Sequence, residues 1–252
     1  MQHRLAFLQH DTPFPPVECA LPDGLLAVGG DLSVGRLSSA YYQGIFPWYN
    51  ESDPILWWSP DPRMMLDCEA FKVSRSLGKK CRQIARQEAL SDAPIQVLIN
   101  ANFLTIMANC ANARAEGTWI STEVMRGYYG LHRVGQAHSI EVWRGSQLMG
   151  GLYGVSVGRF FVGESMFYRE TDGSKIAVYY LVQLLKRHGI QHIDCQQSTT
   201  HLRSLGAANI RREEFLQRLY AARDLPSVFW PAGQLFADGR IRPFNPCLEN
   251  ID

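Results

Sequence analysis

The sequence predicts a mixed α/β protein: a small, loop-rich N-terminal domain over residues 1–66, then a larger domain over 67–252 built on an antiparallel-dominated mixed sheet. Three observations carry that prediction. Residues 1–66 are dense in Pro, Gly and aromatics ("DTPFPP", "LPDGLLAVGGDLS", "IFPWYN", "ILWWSPDPR"), the texture of a module shaped by turns. Three strand-like runs, "SIEVWR", "QLMGGLYGVSV" and "RFFVGESMF", follow one another with Gly145-Ser146 and Gly158 between them, which reads as an antiparallel meander. A helix, a strand and a further helix-like segment come next, so the order is mixed.

Taken in order, "SVGRLSSAYYQG" is the one helix expected in the N-terminal module, with Gly44 as its C-terminal stop. From about Arg63 onward, strand and helix signals alternate. Residues 74–87 read as a helix, 95–99 as a strand, and 102–114 and 121–134 as helices. After the meander, "GSKIAVYYLVQLLKRHG" presents an apolar face through Ile176, Tyr179, Tyr180 and Leu184, and Gly189 closes it. The strand "IQHID" follows. There is no internal repeat and no low-complexity segment.

Composition narrows the function. The chain has 252 residues, 46% hydrophobic and 19% charged, with a formal net charge of +1. Any nucleic acid must therefore be held by a local patch. The N-terminus lacks the pattern of a secretory signal, and "IAVYYLVQLL" is too short to span a bilayer, so a cytoplasmic protein away from membranes is expected. The six cysteines (Cys19, Cys68, Cys81, Cys110, Cys195 and Cys247) show neither zinc spacing nor Cys-x-x-Cys, so reduced thiols are expected. The glycines at 150, 151, 154 and 158 match no nucleotide-binding loop. His188 and His192 straddle a helix end without a zincin glutamate, so no metal is expected.

Four features bear on chemistry. "KVSRSLGKKCRQIARQ" (72–87) holds six basic residues and no acidic one. Arg75, Lys79, Arg82 and Arg86 fall along one helical stripe, with Lys80 beside it and Val73, Leu77, Cys81 and Ile84 opposite. Such a ridge suits phosphate contacts, and the competing reading is a solvated face. Trp57, Trp58 and Trp119, in the aromatic-rich runs "FPWYN", "LWWSP" and "GTWIS", offer flat faces for a nucleobase, or else form the module's core. Extended backbone points Trp57 and Trp58 to opposite faces. Glu164 interrupts an apolar strand just after Gly163, so it is paired, protonated or exposed in a cleft; a structural salt bridge is the alternative. Finally, "IQHIDCQQSTTHLRSLGA" ends an apolar strand on Asp194, Gln196 and Gln197. Asp194 alone would serve as a turn cap, but the two amides gain nothing there. Positions beyond strand ends are where α/β sheets tend to bind ligands.

The joint order of "GLLAVGGDLS", "GIFPWY", "PILWWSPDPR", "VSRSL", "GTWI", "AHSIEVW", "GGLYG", "GESMF", "SK", "IDCQ" and "SLGA" resembles the bacterial leucyl/phenylalanyl-tRNA–protein transferases over nearly the whole chain. The resemblance implies that the larger domain is GNAT-like, an acyltransferase fold. It also implies transfer of Leu or Phe, less readily Met, from aminoacyl-tRNA to the α-amine of proteins beginning with Arg or Lys. The product is an N-degron, passed to an adaptor and an ATP-dependent protease. Neither coenzyme nor metal is implied, and the enzyme is a monomer. By position, Asp194 and Gln196 carry the family's catalytic D-x-Q. Glu164 stands beside an amino-acid pocket lined by Leu152, Phe161, Leu181, Leu185 and Ile193. Trp57 and Trp119 match the tryptophans that hold the terminal adenosine, and Arg75, Lys79, Lys80, Arg82 and Arg86 the cluster that grips the tRNA body. Two readings compete. An acetyl-CoA-dependent relative needs a pyrophosphate loop that is absent, and a non-catalytic tRNA-binding protein gives Asp194, Gln196 and Glu164 no role.

Overall fold

The computed structural model describes residues 5–113 and 118–244, so Cys247 and the tail from 245 lie outside the described residues. Along the N-terminal part run β1 (Ala6–Leu8), β2 (Leu25–Gly29), α1 (Val34–Tyr42), β3 (Phe46–Pro47) and β4 (Leu56–Trp58). The strands form a sheet of spatial order β1-β2-β4-β3. Ser33 caps α1 by accepting the Arg36 N–H, and the chain leaves the helix through Gly44 at φ +76°. A Cβ at Gly44 would stand 2.7 Å from the Phe215 ring, so both the turn and the packing require glycine.

The rest of the chain continues as β5 (Arg63–Asp67), α2 (Arg75–Gln87), β6 (Gln96–Ile99), α3 (Phe103–Asn112), α4 (Thr122–Arg133), β7 (Ala137–Arg144), β8 (Gln147–Val157) and β9 (Phe160–Tyr168). Then come α5 (Gly173–Arg187), β10 (His192–Gln196), α6 (Thr200–Ser204), β11 (Ala208–Ile210), α7 (Arg212–Arg223), β12 (Gly233–Leu235) and β13 (Ile241–Pro243). Nine of these strands make one sheet of order β11-β5-β10-β9-β8-β7-β6-β12-β13. Its pairings are antiparallel except β9 with β10. The mixed, antiparallel-dominated sheet expected from the meander is therefore present.

Arg63 to Leu66, which composition groups with residues 1–66, lie on a strand that pairs with β10 and β11 of the large sheet. Proline density marks where the chain turns, whereas strand membership depends on partners about 130 residues away.

Two apolar clusters hold the layers together. One joins the N-terminal module to α3, α4 and α7 through Tyr41, Phe46, Trp57, Trp119, Tyr128, Tyr153 and Phe215. The other packs α2 and α5 on the opposite face, with Leu77, Cys81 and Ile84 against Tyr180, Leu181 and Leu184. Ser74 caps α2 by accepting the Leu77 N–H. Val73, expected on the buried side of this helix, precedes the cap and is exposed. Among the described residues Cys19, Cys68, Cys81, Cys110 and Cys195 are free thiols, and no helix is long and apolar enough to cross a membrane.

Candidate active site

The site forms where the two parallel strands part. β9 and β10 pair only at Phe161–Ile193 and Val162–Asp194. Each then carries an extra residue. On β9, Gly163 and Ser165 face consecutive residues of β8, which leaves Glu164 between them as a bulge. On β10, Asp194 and Gln196 face Met65 and Met64, which leaves Cys195 as a bulge. Bulges bend a strand and re-aim its side chains. Two of them side by side open the sheet and turn Glu164 and Gln196 towards each other.

The opening is a cavity of about 380 Å3. Leu152, Phe161, Leu181 and Ile193 give it an apolar floor, Glu164 and Gln196 its polar wall, and Trp48 and Trp119 aromatic surface. Phe161 can lie there because residue 154 is glycine: a Cβ at Gly154 would meet the Phe161 ring at 2.5 Å.

The polar wall is a continuous hydrogen-bonded set. Arg63 and Asp194, 1% and 0% exposed, form a two-pronged pair: Nε donates to Oδ1 at 2.9 Å and the terminal nitrogen to Oδ2 at 2.6 Å. Asp194 Oδ1 also accepts the Gln196 backbone N–H at 2.8 Å. Gln196 sits at φ +60°, a left-handed conformation that a non-glycine residue keeps only where its surroundings hold it. Its side-chain Nε2 donates to Glu164 Oε1 at 2.8 Å, its Oε1 has no hydrogen-bond partner among the described residues, and the residue borders the cavity. Tyr128 donates its hydroxyl to Glu164 Oε2 at 3.0 Å and is joined in turn to the Tyr41 hydroxyl.

Burial is the main influence on Glu164 and raises its pKa from 4.5 to about 7; Asp194 adds to the rise, while the Tyr41 and Tyr128 hydroxyls and Arg63 oppose it. Since the folded value is the higher one, the stability it contributes is complete below pH 4.5 and is lost as pH rises through about 7. Near neutrality the carboxyl exchanges its proton readily. Burial also raises the Cys195 thiol, so it stays protonated.

Of the residues expected at the pocket, Glu164, Gln196, Leu152, Phe161, Leu181, Ile193 and Trp119 border this cavity. Three residues sit differently from expectation. Leu185 is fully buried in the core beneath and does not reach the cavity. Asp194 is likewise fully buried, its carboxylate taken up by Arg63 and the Gln196 N–H rather than turned to the cavity. Trp57 is 0% exposed, packed edge-on against Phe14 with its indole N–H on the Gly29 carbonyl, so it has no face free for a base. Besides Trp119, the cavity is reached by Trp48, 39% exposed and held edge-on by Trp58, whose indole N–H donates to the Trp48 carbonyl. Alternation along "LWW" separates Trp57 from Trp58 but is silent on Trp48, nine residues earlier than Trp57 in sequence. Arg63, Tyr41 and Tyr128 were also missed; an arginine opening the apolar run "RMML" was the available signal.

On α2, Arg75, Lys79, Arg82 and Arg86 are exposed, as an outward ridge requires. Lys80 differs: it is half-buried and paired with Asp172 at 2.9 Å. No acidic residue occupies the first turn of α2, and Arg75 opens it against the helix dipole. That arrangement costs helix stability.

Residues 65–220 match the family model of leucyl/phenylalanyl-tRNA protein transferase, and residues 30–61 match the model of its N-terminal domain. The leucyl/phenylalanyl-tRNA–protein transferase of Bordetella petrii is 50% identical over 244 residues, covering 95% of this chain and 96% of that one. Its counterpart in Bordetella avium is 52% identical over 242 residues, covering 94% and 97%. That of Idiomarina loihiensis is 51% identical over 234 residues, covering 90% and 95%. Similarity of this extent, spanning the split strands as well as the N-terminal sheet, shows that the chain belongs to the leucyl/phenylalanyl-tRNA–protein transferase family.

Proposed function

We propose that this enzyme transfers leucine or phenylalanine, and less readily methionine, from aminoacyl-tRNA to the α-amine of proteins that begin with Arg or Lys. The observation that carries the reading is an apolar cavity closed at one side by Glu164 and Gln196. It suits an uncharged side chain whose ester carbonyl lies at the polar wall. The names of the relatives support the donor and the protein acceptor. In this reading the modified N-terminus is an N-degron, taken by an adaptor to an ATP-dependent protease. The enzyme works as a monomer in the cytoplasm and uses neither coenzyme nor metal.

The chemistry asked of the site is modest. The ester is already activated, so the acceptor nitrogen attacks its carbonyl, a C–N bond forms, and the C–O bond to the ribose breaks. The ribose oxygen leaves with one proton and the amine gives one up. Gln196 Oε1 accepts a hydrogen bond from the attacking amine. Glu164, poised near neutrality, receives the amine's proton and passes it to the leaving ribose oxygen. Trp48 takes the terminal adenosine by stacking, with Trp119, 6% exposed, bordering the cavity beside it, and the α2 ridge meets the tRNA body.

Mixing the protein with Phe-tRNA and an Arg-initiated peptide, without acetyl-CoA, tests the reading. Phenylalanine appears on the peptide's N-terminus; a requirement for acetyl-CoA, or binding without transfer, would sink it.

Two further results are expected. kcat/KM rises with pH through about 7 as Glu164 ionises. The acceptor amine adds its own limb at about 7.7–8.0. Glu164→Gln removes the lower limb and retains the upper one; an unchanged profile would exclude Glu164 as the acceptor. Reversing the charge at Arg75 and Arg82 raises KM for aminoacyl-tRNA and flattens its salt dependence, because fewer counterions are released. Transfer from a short aminoacyl-adenosine is unaffected if the ridge meets only the tRNA body, and an equal loss there would refute that placement.

A further inference from the structure

Arg63 lies outside the residues that border the cavity, yet it is built into the site more firmly than any of them. It is 1% exposed in the middle of the protein. Its guanidinium is held between two rings, 4.7 Å from the Phe46 centroid and 4.4 Å from that of Phe215. Two of its nitrogens bind Asp194, and the third donates to the Gly44 carbonyl at 3.2 Å. Four separate elements therefore converge on one guanidinium: the turn after α1, strand β3, helix α7 and strand β10. Both charges are far from water and satisfy each other. Asp194 has its remaining contact with the Gln196 backbone N–H.

We propose that Arg63 is a positioning residue for the transfer reaction and that Arg63 and Asp194 together form a neutral strut that holds Gln196 in its left-handed conformation, with the amide aimed at Glu164 and the cavity. Resting on the aminoacyl-transfer reading above, this gives Asp194 a part different from a charge at the reacting centre. A carboxylate gripped in two-pronged fashion by a buried guanidinium has both oxygens engaged by Arg63, and its pull on Glu164 is opposed by that of Arg63. It does present a fixed acceptor to the Gln196 N–H. Without that acceptor the φ of +60° loses the contact that holds the Gln196 N–H, and the backbone relaxes to a right-handed or extended form. A change of that size swings the Gln196 side chain away from Glu164.

The strut separates substitutions that a catalytic charge would not. Asn at 194 keeps an oxygen for the Gln196 N–H and for Arg63 Nε but sets an NH2 against the Arg63 terminal nitrogen and leaves that charge unpaired, whereas Ala keeps no oxygen. Asp194→Asn therefore loses less kcat than Asp194→Ala, which loses about a hundredfold or more, with KM for aminoacyl-tRNA held within about threefold in both. An Asn variant as impaired as Ala while its Gln196 keeps φ near +60° would show that the negative charge itself is needed and would overturn the strut. Arg63→Lys keeps the charge but cannot give the parallel pair of N–H bonds, so kcat falls by about tenfold or more at unchanged KM. A raised KM with intact kcat would mean that Arg63 meets substrate. Should Arg63→Lys fail to fold, Phe215→Leu removes one ring from the guanidinium and leaves the ion pair in place; kcat falls by about threefold, and a wild-type value would count against the proposal. A crystal structure of Asp194→Ala gives a readout that needs no substrate. Gln196 leaves the left-handed region if the strut is real, and a retained φ near +60° overturns it whatever the enzyme transfers.

Discussion

Replacing Gln196 with Ala lowers kcat by about 10²–10³, the scale of losing one hydrogen-bonding group aimed at a reacting centre. KM for aminoacyl-tRNA stays within about threefold, because Gln196 contributes little to holding the tRNA. The expectation follows from the shared use of one amide. Its Nε2 is spent on Glu164, so orientation is fixed, its Oε1 has no partner among the described residues, and the residue borders the cavity. The left-handed backbone offers a control. Glycine adopts φ +60° without strain, so Gln196→Gly removes the side chain and leaves the strand end relaxed. Gly and Ala variants that lose equal activity locate the effect in the amide. A Gly variant close to wild type would show that residue 196 matters only as backbone.

The second large effect is at Phe161. It is 1% exposed, forms a wall of the cavity, and stacks at 5.7 Å on Trp230. Phe161→Ala destabilises the protein by about 3–5 kcal/mol, the usual range for emptying an aromatic site in a core. Chemical denaturation measures this, and a loss under about 1 kcal/mol would mean that the site collapses around the gap. The gentler Phe161→Leu leaves the fold intact and enlarges the cavity. Preference then moves from Leu towards Phe or Trp. An unchanged ranking would show that Phe161 is not the wall that reads the side chain.

The legible parts of this protein are those written in local pattern. The meander of β7, β8 and β9 follows from alternation and from Gly145 and Gly158, both of which adopt positive φ. Helix α2 follows from its periodicity and the Ser74 cap. Strand β10, ending on polar residues, follows from an apolar run that stops. What was illegible depends on partners distant in sequence. Strands β11, β12 and β13 have three residues each, too few for alternation to register. That strand β5 joins the large sheet shows only in its pairing with β10 and β11.

The site divides in the same way. Family position put Glu164, Gln196, Phe161 and Trp119 at one cavity, and the fold brings them there. It also put Trp57 and Leu185 there, and both are core. An aromatic run says that some ring is buried and another open, but the sheet decides which, and it buries Trp57 while leaving Trp48 at the cavity. Arg63 was missed although the physics was available: an arginine in an apolar strand needs a buried carboxylate, and Asp194 was the strand-end acid in need of a partner.

The claim at the centre of this account is that an apolar cavity beside Gln196 selects the transferred amino acid by shape. The most direct measurement is a competition among Leu, Phe, Met, Ile and Val, each esterified to the same tRNA body so that contacts with the tRNA cancel. No polar partner for a side chain stands among the floor residues Leu152, Phe161, Leu181 and Ile193. Discrimination therefore rests on burial and width, worth about 1–3 kcal/mol per methylene. Leu, Phe and Met are transferred in graded amounts, while Ile and Val, stiff and broad at Cβ, are transferred poorly. Equal transfer of Ile and Leu would contradict the account.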